Sequence, residues 1–450
     1  MAKYKKIGII HYRVGRTDGV SLEIEKRKFI LNQLGHSVKL ISGPVQNGAD
    51  HVIDELEFDT DHVKRIKENC FAYFGRNDLA AQRLQGMIES LSNNIEAAFL
   101  KIHQKEKFDA LLIHNIFSHG RHIAAASAFA RIAEELKIPI LSTNHDYYWE
   151  RVEYQQPTTS FVRDYLKTYV PPASRYITHI CINSLAKNDL WEKRKIDSVV
   201  FPDIFDFRQR KWQRDAFNSD LLQQFDIKDD DLVILQATRI VERKGIEIAV
   251  RFVAELMKQK ERLVGNKLYN GKLFTNNSNI VFVLAGYAEE SAQDYLQTLR
   301  RFIKDSGICA VFMSDRIGSE RIQAPQKRYS LWDAYAYADL VTYPSLFEGW
   351  GNQFIEAVFA EKPVVLFEYP VFKSDIVQEG YKFISFGDTW KKNSNDLATI
   401  PEPAVKHAVD EAITWLTNVK TKEWLNKNKE LGKKYHHYDV LSKFLMEKLM

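Results

Sequence analysis

The chain alternates short apolar runs with segments of helical spacing, and it does so in two successive blocks. Lys6 to His11, Ser37 to Ser42, Asp109 to His114, Ile138 to Asn144 and Ile177 to Asn183 have the length and composition of buried strands. Helical segments fall between them, at Gly19 to Leu34 and Ile123 to Leu136. Alternation of this kind leaves few options. Strands buried on both faces and separated by helices pair in parallel, which makes the fold α/β with helices covering a parallel sheet. The alternation restarts after the segment ending in VVFPDIFDF. Strands are expected at Leu232 to Ala237, Ile280 to Ala285, Ile308 to Met313 and Leu340 to Tyr343, with helices at Gly245 to Lys258, Ala288 to Ser306 and Leu331 to Ala338. A length of 450 residues suits two such domains.

Within this frame we expect an N-terminal domain over 1–200, a second over 201–405, and C-terminal helices over 406–450 that cross back to the first. The stretch from about Asp50 to Lys107 reads as helical, and the polar stretch from Lys260 to Ser278 as a surface loop. The net charge of +4 is too small to suggest nucleic-acid binding. No apolar run approaches a membrane span, and MAKYKKIGIIHY leads straight into a strand pattern rather than a signal peptide. Cys70, Cys181 and Cys309 are widely spaced, which fits a reducing, cytoplasmic setting without disulfides or a zinc site. The first βα loop, HYRVGRTDGVSLE, lacks the G-x-G-x-x-G of dinucleotide-binding enzymes, which disfavours a dehydrogenase.

The chemistry concentrates in SLFEGWGNQFIEAVFAEKPVV, Ser345 to Val365. A strand ends at Pro344-Ser345, a glycine-bracketed turn follows, and a helix begins near Asn352 with Phe354, Ile355, Val358 and Phe359 on one stripe. Glycines allow close backbone approach to a ligand, and the helix start offers unpaired N–H groups suited to phosphate. Glu348 and Glu356 frame this unit with seven residues between them. A second cluster, Arg239 and Lys244 followed by Gly245 in ATRIVERKGIEIA, also follows a strand. Paired cations there suit the negative charge that grows on a leaving diphosphate.

Together E-x7-E and R-x4-KG resemble the retaining glycosyltransferases of family 4 (glycosyl transferases group 1). The resemblance implies a GT-B fold, two Rossmann-like domains facing across a cleft, and a retaining hexosyltransferase that uses a nucleotide-sugar co-substrate and no other cofactor. It implies that Arg239 and Lys244 face the diphosphate, Glu348 the donor sugar, and Glu356 the ribose. The backbone of Gly349, Trp350, Gly351, Asn352 and Gln353 would hold the sugar and diphosphate. Arg243 is read as a solvated extra cation. His145, in the strand-end sequence NHDYYW, matches the family's histidine near the reacting centre, with Asp146 able to orient it. Tyr147 and Trp149 are either sugar-stacking faces or packing. Gly19 matches the second glycine of the family's donor loop, whereas Asp18 departs from the first.

No D-x-D motif flanks a donor loop, so no metal is expected, with the cations taking its place. UDP-glucose and GDP-mannose are the leading donors, and the loop near Ser314 to Ile317 should meet the base without choosing between them. RVG-x-TDGVSLE, NHDYYWER, FDF and EGWGNQFIEA are similar to the bacterial branch that includes mannosylglucosylglycerate synthases, which points to a small hydroxylated acceptor. Two rival readings are polysaccharide or glycolipid assembly at a membrane surface, with peripheral membrane contact through Lys101, Lys105 and Lys107, and a non-catalytic nucleotide-sugar-binding scaffold.

Overall fold

The computed structural model describes residues 5–15, 19–44 and 48–449, so Asp18 falls outside it. It divides into two compact units. One runs up to Ile204 and includes the final helix; the other is Phe205–His437.

The first unit is built on a seven-stranded sheet. Its strands are β1 (Lys6–Ile10), β2 (Ser37–Ser42), β3 (His51–Val52), β4 (Ala110–His114), β5 (Ile140–Asn144), β6 (Ile177–Cys181) and β7 (Ser198–Val200). The order is β3-β2-β1-β4-β5-β6-β7, and every pairing is parallel. All residues of β4 and β5 are buried, as a sheet covered on both faces requires. The helices are α1 (Gly19–Gln33), α2 (Asp61–Cys70), α3 (Ala81–Glu106), α4 (Ile123–Leu136), α5 (Ser160–Tyr169) and α6 (Ser184–Arg194). In α3, Leu84, Ile88, Leu91, Ile95 and Phe99 recur every three or four residues and join the core under that face of the sheet. The order reverses between β1 and β4, the kind of switch point beside which parallel α/β sheets hold their ligands.

The second unit repeats the design with β8 (Leu232–Gln236), β9 (Ile280–Leu284), β10 (Cys309–Phe312), β11 (Leu340–Tyr343), β12 (Val364–Leu366) and β13 (Ile384–Ser385). Their order is β10-β9-β8-β11-β12-β13, again parallel throughout. Its helices are α7 (Ile246–Lys258), α8 (Gln293–Asp305), α9 (Leu331–Tyr337), α10 (Asn352–Phe359), α11 (Glu402–Thr417) and α12 (Thr421–His436). The last helix, α13 (Tyr438–Leu449), sends Leu441, Leu445 and Leu449 into the core of the first unit beside Ile7 and Ile9. Among the described residues, no helix is long and apolar enough to cross a membrane.

The stretch from Lys260 to Ser278 is not the simple surface loop its composition suggests. Leu263, Leu268 and Phe274 are buried. Asn270 Nδ2 and Lys272 Nζ donate to the Asp339 carboxylate at 2.6 and 2.7 Å, and the Tyr269 hydroxyl donates to the Asp339 carbonyl at 3.1 Å. Three apolar anchors at irregular spacing carry no periodic signal, so the polar residues between them dominate the sequence pattern.

Candidate active site

In the second unit the motif residues gather where β8 and β11 end. After β8 the chain makes a tight turn, Glu242–Lys244, and Gly245 follows in the left-handed region at φ 55°. A Cβ at Gly245 would lie 2.6 Å from the Pro344 carbonyl oxygen. Glycine is therefore required twice over, by conformation and by space. That close approach brings the Lys244 turn against the segment leaving β11, and Leu346 N–H donates to the Arg243 carbonyl at 2.9 Å. Replacing Gly245 with alanine is expected to cost about 1–2 kcal/mol for the left-handed conformation alone, with the Pro344 clash added. Thermal unfolding should show the loss, and transfer activity should fall at least tenfold as Lys244 is displaced.

Lys244 and Glu348 form a buried ion pair. The other carboxylate oxygen of Glu348 accepts from Arg243 Nη1 at 2.8 Å, and the same guanidinium nitrogen donates to the Phe347 carbonyl at 3.1 Å. Arg243 is thus not a solvated bystander. The turn that presents Lys244 also directs its neighbour onto the same carboxylate. Burial opposes charge on Glu348, but Lys244 and Arg243 outweigh it and hold the carboxyl below its usual range. Burial lowers the Lys244 ammonium, an effect Glu348 partly offsets and Arg243 and Arg239 reinforce. Arg239 stands apart from this cluster, half-exposed and paired with Glu289. Its loop is pinned by Gly286, where any Cβ would overlap the Thr238 carbonyl, and by the Ile240 N–H donating to the Tyr287 carbonyl at 2.8 Å.

Beyond Glu348 the glycine turn leads into α10. Gly351 is packed so closely that a Cβ would lie 2.7 Å from Ile376 Cδ1 and 2.9 Å from the Tyr369 hydroxyl. That hydroxyl donates to the Trp350 carbonyl at 2.7 Å, which fixes the turn. The Trp350 ring is buried edge-on to His436, so it supports the turn from within. Gly349 and Asn352 are exposed at the mouth of the turn. Gln353 is buried, and among the described residues its amide makes no hydrogen bond of good geometry, although it lies against the Tyr335 hydroxyl. Glu356 accepts from the Tyr335 hydroxyl of α9 at 3.0 Å.

In the first unit His145 immediately follows β5. Its backbone N–H donates to Asn115 Oδ1 at 2.9 Å, its Nδ1 lies 3.2 Å from the same oxygen, and its Nε2 is 3.7 Å from Asp203 Oδ1. Burial lowers the imidazole's pKa, with Asp203 opposing. Asp146 does not orient His145. It binds His119 and Arg151 instead, and the hydrogen bond from His119 with the Arg151 guanidinium holds it well below the usual carboxylate range despite burial. Asn115 and Asp203 take the orienting role, and neither was singled out from sequence. His114, at the end of β4, is fully buried, its two ring nitrogens without a hydrogen-bond partner among the described residues and its ring 6.3 Å from His145. Tyr147 and Trp149 stack on each other at 4.5 Å against Ala186 and Leu190 of α6, which is packing. Gly19 opens α1, exposed, and a Cβ there would meet nothing within 4 Å. The structure thus draws Lys244, Glu348 and Arg243 together, and leaves Arg239 outside direct contact with them.

Two Rossmann-like units, with a buried Lys–Glu–Arg cluster before a glycine-capped helix in the second, define a GT-B glycosyltransferase. Residues 218–429 match the family described as Glycosyl transferases group 1. The chain belongs to this family. It is 38% identical over 385 residues to a Petrotoga mobilis protein named mannosylglucosylglycerate synthase, covering 85% of this chain and 86% of that one. A Thermotoga maritima protein of the same name is 33% identical, covering 99% of this chain and 100% of that one. Among solved structures, the catalytic domain of starch synthase IV from Arabidopsis thaliana aligns with a TM-score of 0.59 at 10% identity, covering 100% of this chain and 99% of that one.

Proposed function

We propose that this glycosyltransferase moves mannose from GDP-mannose to the hydroxyl of a small glycerate-bearing glucoside, with retention and without a required metal. The observation that carries the reading is the Lys244–Glu348–Arg243 cluster at the start of α10, in a chain similar over its length to two proteins named mannosylglucosylglycerate synthase. A diphosphate before α10 would meet helix N–H groups and compete with Glu348 for Lys244. Arg239, half-exposed on a pinned loop, is free to exchange Glu289 for a phosphate oxygen. Charge developing on the leaving phosphate is then met by fixed cations, the role a metal plays elsewhere. The buried Gln353 amide and the Glu356 carboxylate supply hydrogen-bonding groups for donor hydroxyls. His145, fixed by Asn115 and faced by Asp203, offers a neutral imidazole to the sugar. The leaving phosphate itself takes the acceptor proton, so Glu348 and Glu356 are not read as a double-displacement pair. Setting, in this reading, is cytoplasmic.

The test is a donor and acceptor screen on the purified protein in EDTA. GDP-mannose, UDP-glucose, UDP-GlcNAc, UDP-galactose and ADP-glucose are each supplied with glucosylglycerate. Donor binding at 100-fold over Kd should stabilise the protein by about 2.7 kcal/mol. GDP-mannose is expected to give product, with an α-anomeric signal by proton NMR. Product only from UDP-glucose would replace the donor, a β-anomer would remove retention, and activity lost in EDTA and restored by a divalent cation would remove metal independence.

A further inference from the structure

The second unit carries a cavity unrelated to the chemistry above. It encloses about 710 Å³ and lies at the opposite end of the same sheet. Asp339 immediately precedes β11 and Lys362 lies two residues before β12, whereas Glu348 follows β11. The four residues of β11 alone put about 13 Å between the two ends. Five cations, Lys211, Arg214, Lys272, Lys362 and Lys422, line the cavity against three carboxylates.

The pairing among these groups is uneven. Lys272 is held by Asp339 at 2.7 Å, Lys211 by Glu361 at 2.8 Å, and Arg214 by Asp229 at 3.1 Å. Asp339 also accepts from the Val233 N–H and Asn270, so it has little left to offer a second lysine. Among the described residues, the Lys362 ammonium has no carboxylate within ion-pair distance and makes no side-chain hydrogen bond. Burial pushes its ammonium down to about 8; Asp339 opposes this and the surrounding Lys211, Lys272 and Arg214 add to it. A lysine in this position is costly unless something negative shares the space. The cavity wall also includes Trp212, Tyr337 and the amide of Asn426, while the Asn270 amide is held by Asp339 and the Lys272 N–H. That is the mixture that receives a hydroxylated organic anion rather than a bare ion.

We propose that this cavity binds a small phosphorylated metabolite, its phosphate dianion between Lys362 and Lys272 and its hydroxyls against the Asn426 amide. The site is separate from the donor site and does not depend on the donor assigned above. Ala360, Glu361 and Lys362 line it directly after α10, the helix that carries Glu356.

Inorganic phosphate and glucose 6-phosphate are titrated by calorimetry into the full-length protein, Lys362→Gln and Lys244→Gln. The wild type and Lys244→Gln are expected to bind both anions alike. Lys362→Gln should bind them at least tenfold more weakly while keeping wild-type thermal unfolding and basal transfer. Affinity for glucose 6-phosphate should exceed that for phosphate. Equal binding in Lys362→Gln, loss of all binding in Lys244→Gln, or no binding by any form up to about 10 mM would each overturn the site. A Lys362→Arg variant keeps the test open should the glutamine variant unfold, because it retains the charge and is expected to bind.

Discussion

Lys244→Met is expected to reduce sugar transfer by about 10³-fold with the fold intact, and Glu348→Gln by a similar factor. The magnitude follows from what each group faces. A single preorganised donor at a developing anion is typically worth about 10²- to 10³-fold in rate, and Lys244 is both buried and charged. Methionine keeps the stem's packing and removes only the ammonium, leaving Glu348 with Arg243 alone. Glu348→Gln removes the charge that orders both cations. Arg239→Ala should cost less, about 10²-fold, because Arg239 is exposed and reaches its place only by leaving Glu289. Steady-state rates separate these cases: loss in kcat with KM little changed marks a transition-state role, whereas a raised KM alone marks donor binding. Near-full activity in Lys244→Met with circular dichroism unchanged would remove the cluster from the chemistry.

Much of this site was legible because its physics is local. Parallel strands buried on both faces write themselves as apolar runs, and the left-handed turn after Lys244 demands a glycine in the next position. Those features lie within a few residues of one another. Arg243 was not legible, because a cation beside a motif reads the same whether it points to solvent or to Glu348. Its direction is set by a three-residue turn that composition does not encode. The partners of His145 were hidden for another reason. Asn115 sits in the left-handed region at φ 56° just after β4, and Asp203 arrives from beyond β7. Three strand ends supply one imidazole's surroundings, and no spacing in the sequence relates them. Asp146 was the natural choice only because it is adjacent, and adjacent side chains at a strand end point apart.

Asp339→Ala is expected to destabilise the second unit by about 3–5 kcal/mol, the usual cost of stranding one member of a buried ion pair. The loss has several parts. Asp339 is 1% exposed, and its carboxylate accepts from the Val233 N–H at 2.7 Å, from Asn270 and from Lys272. Alanine leaves a backbone donor at the start of β8 and a buried ammonium without this partner, and it removes the carboxylate bonds to Asn270 and Lys272 while the Tyr269 bond to the backbone carbonyl stays. For a unit of this size each kcal/mol moves the melting temperature by about 2–4 °C, so a fall of roughly 6–20 °C is expected by calorimetry. Lys272→Met should cost much less, because the carboxylate keeps Val233 and Asn270 as donors. The double variant Asp339→Ala/Lys272→Met should therefore be more stable than Asp339→Ala alone, since it removes the stranded charge. A double variant no better than the single one would mean that the lost Val233 and Asn270 bonds, rather than the unpaired lysine, carry the cost.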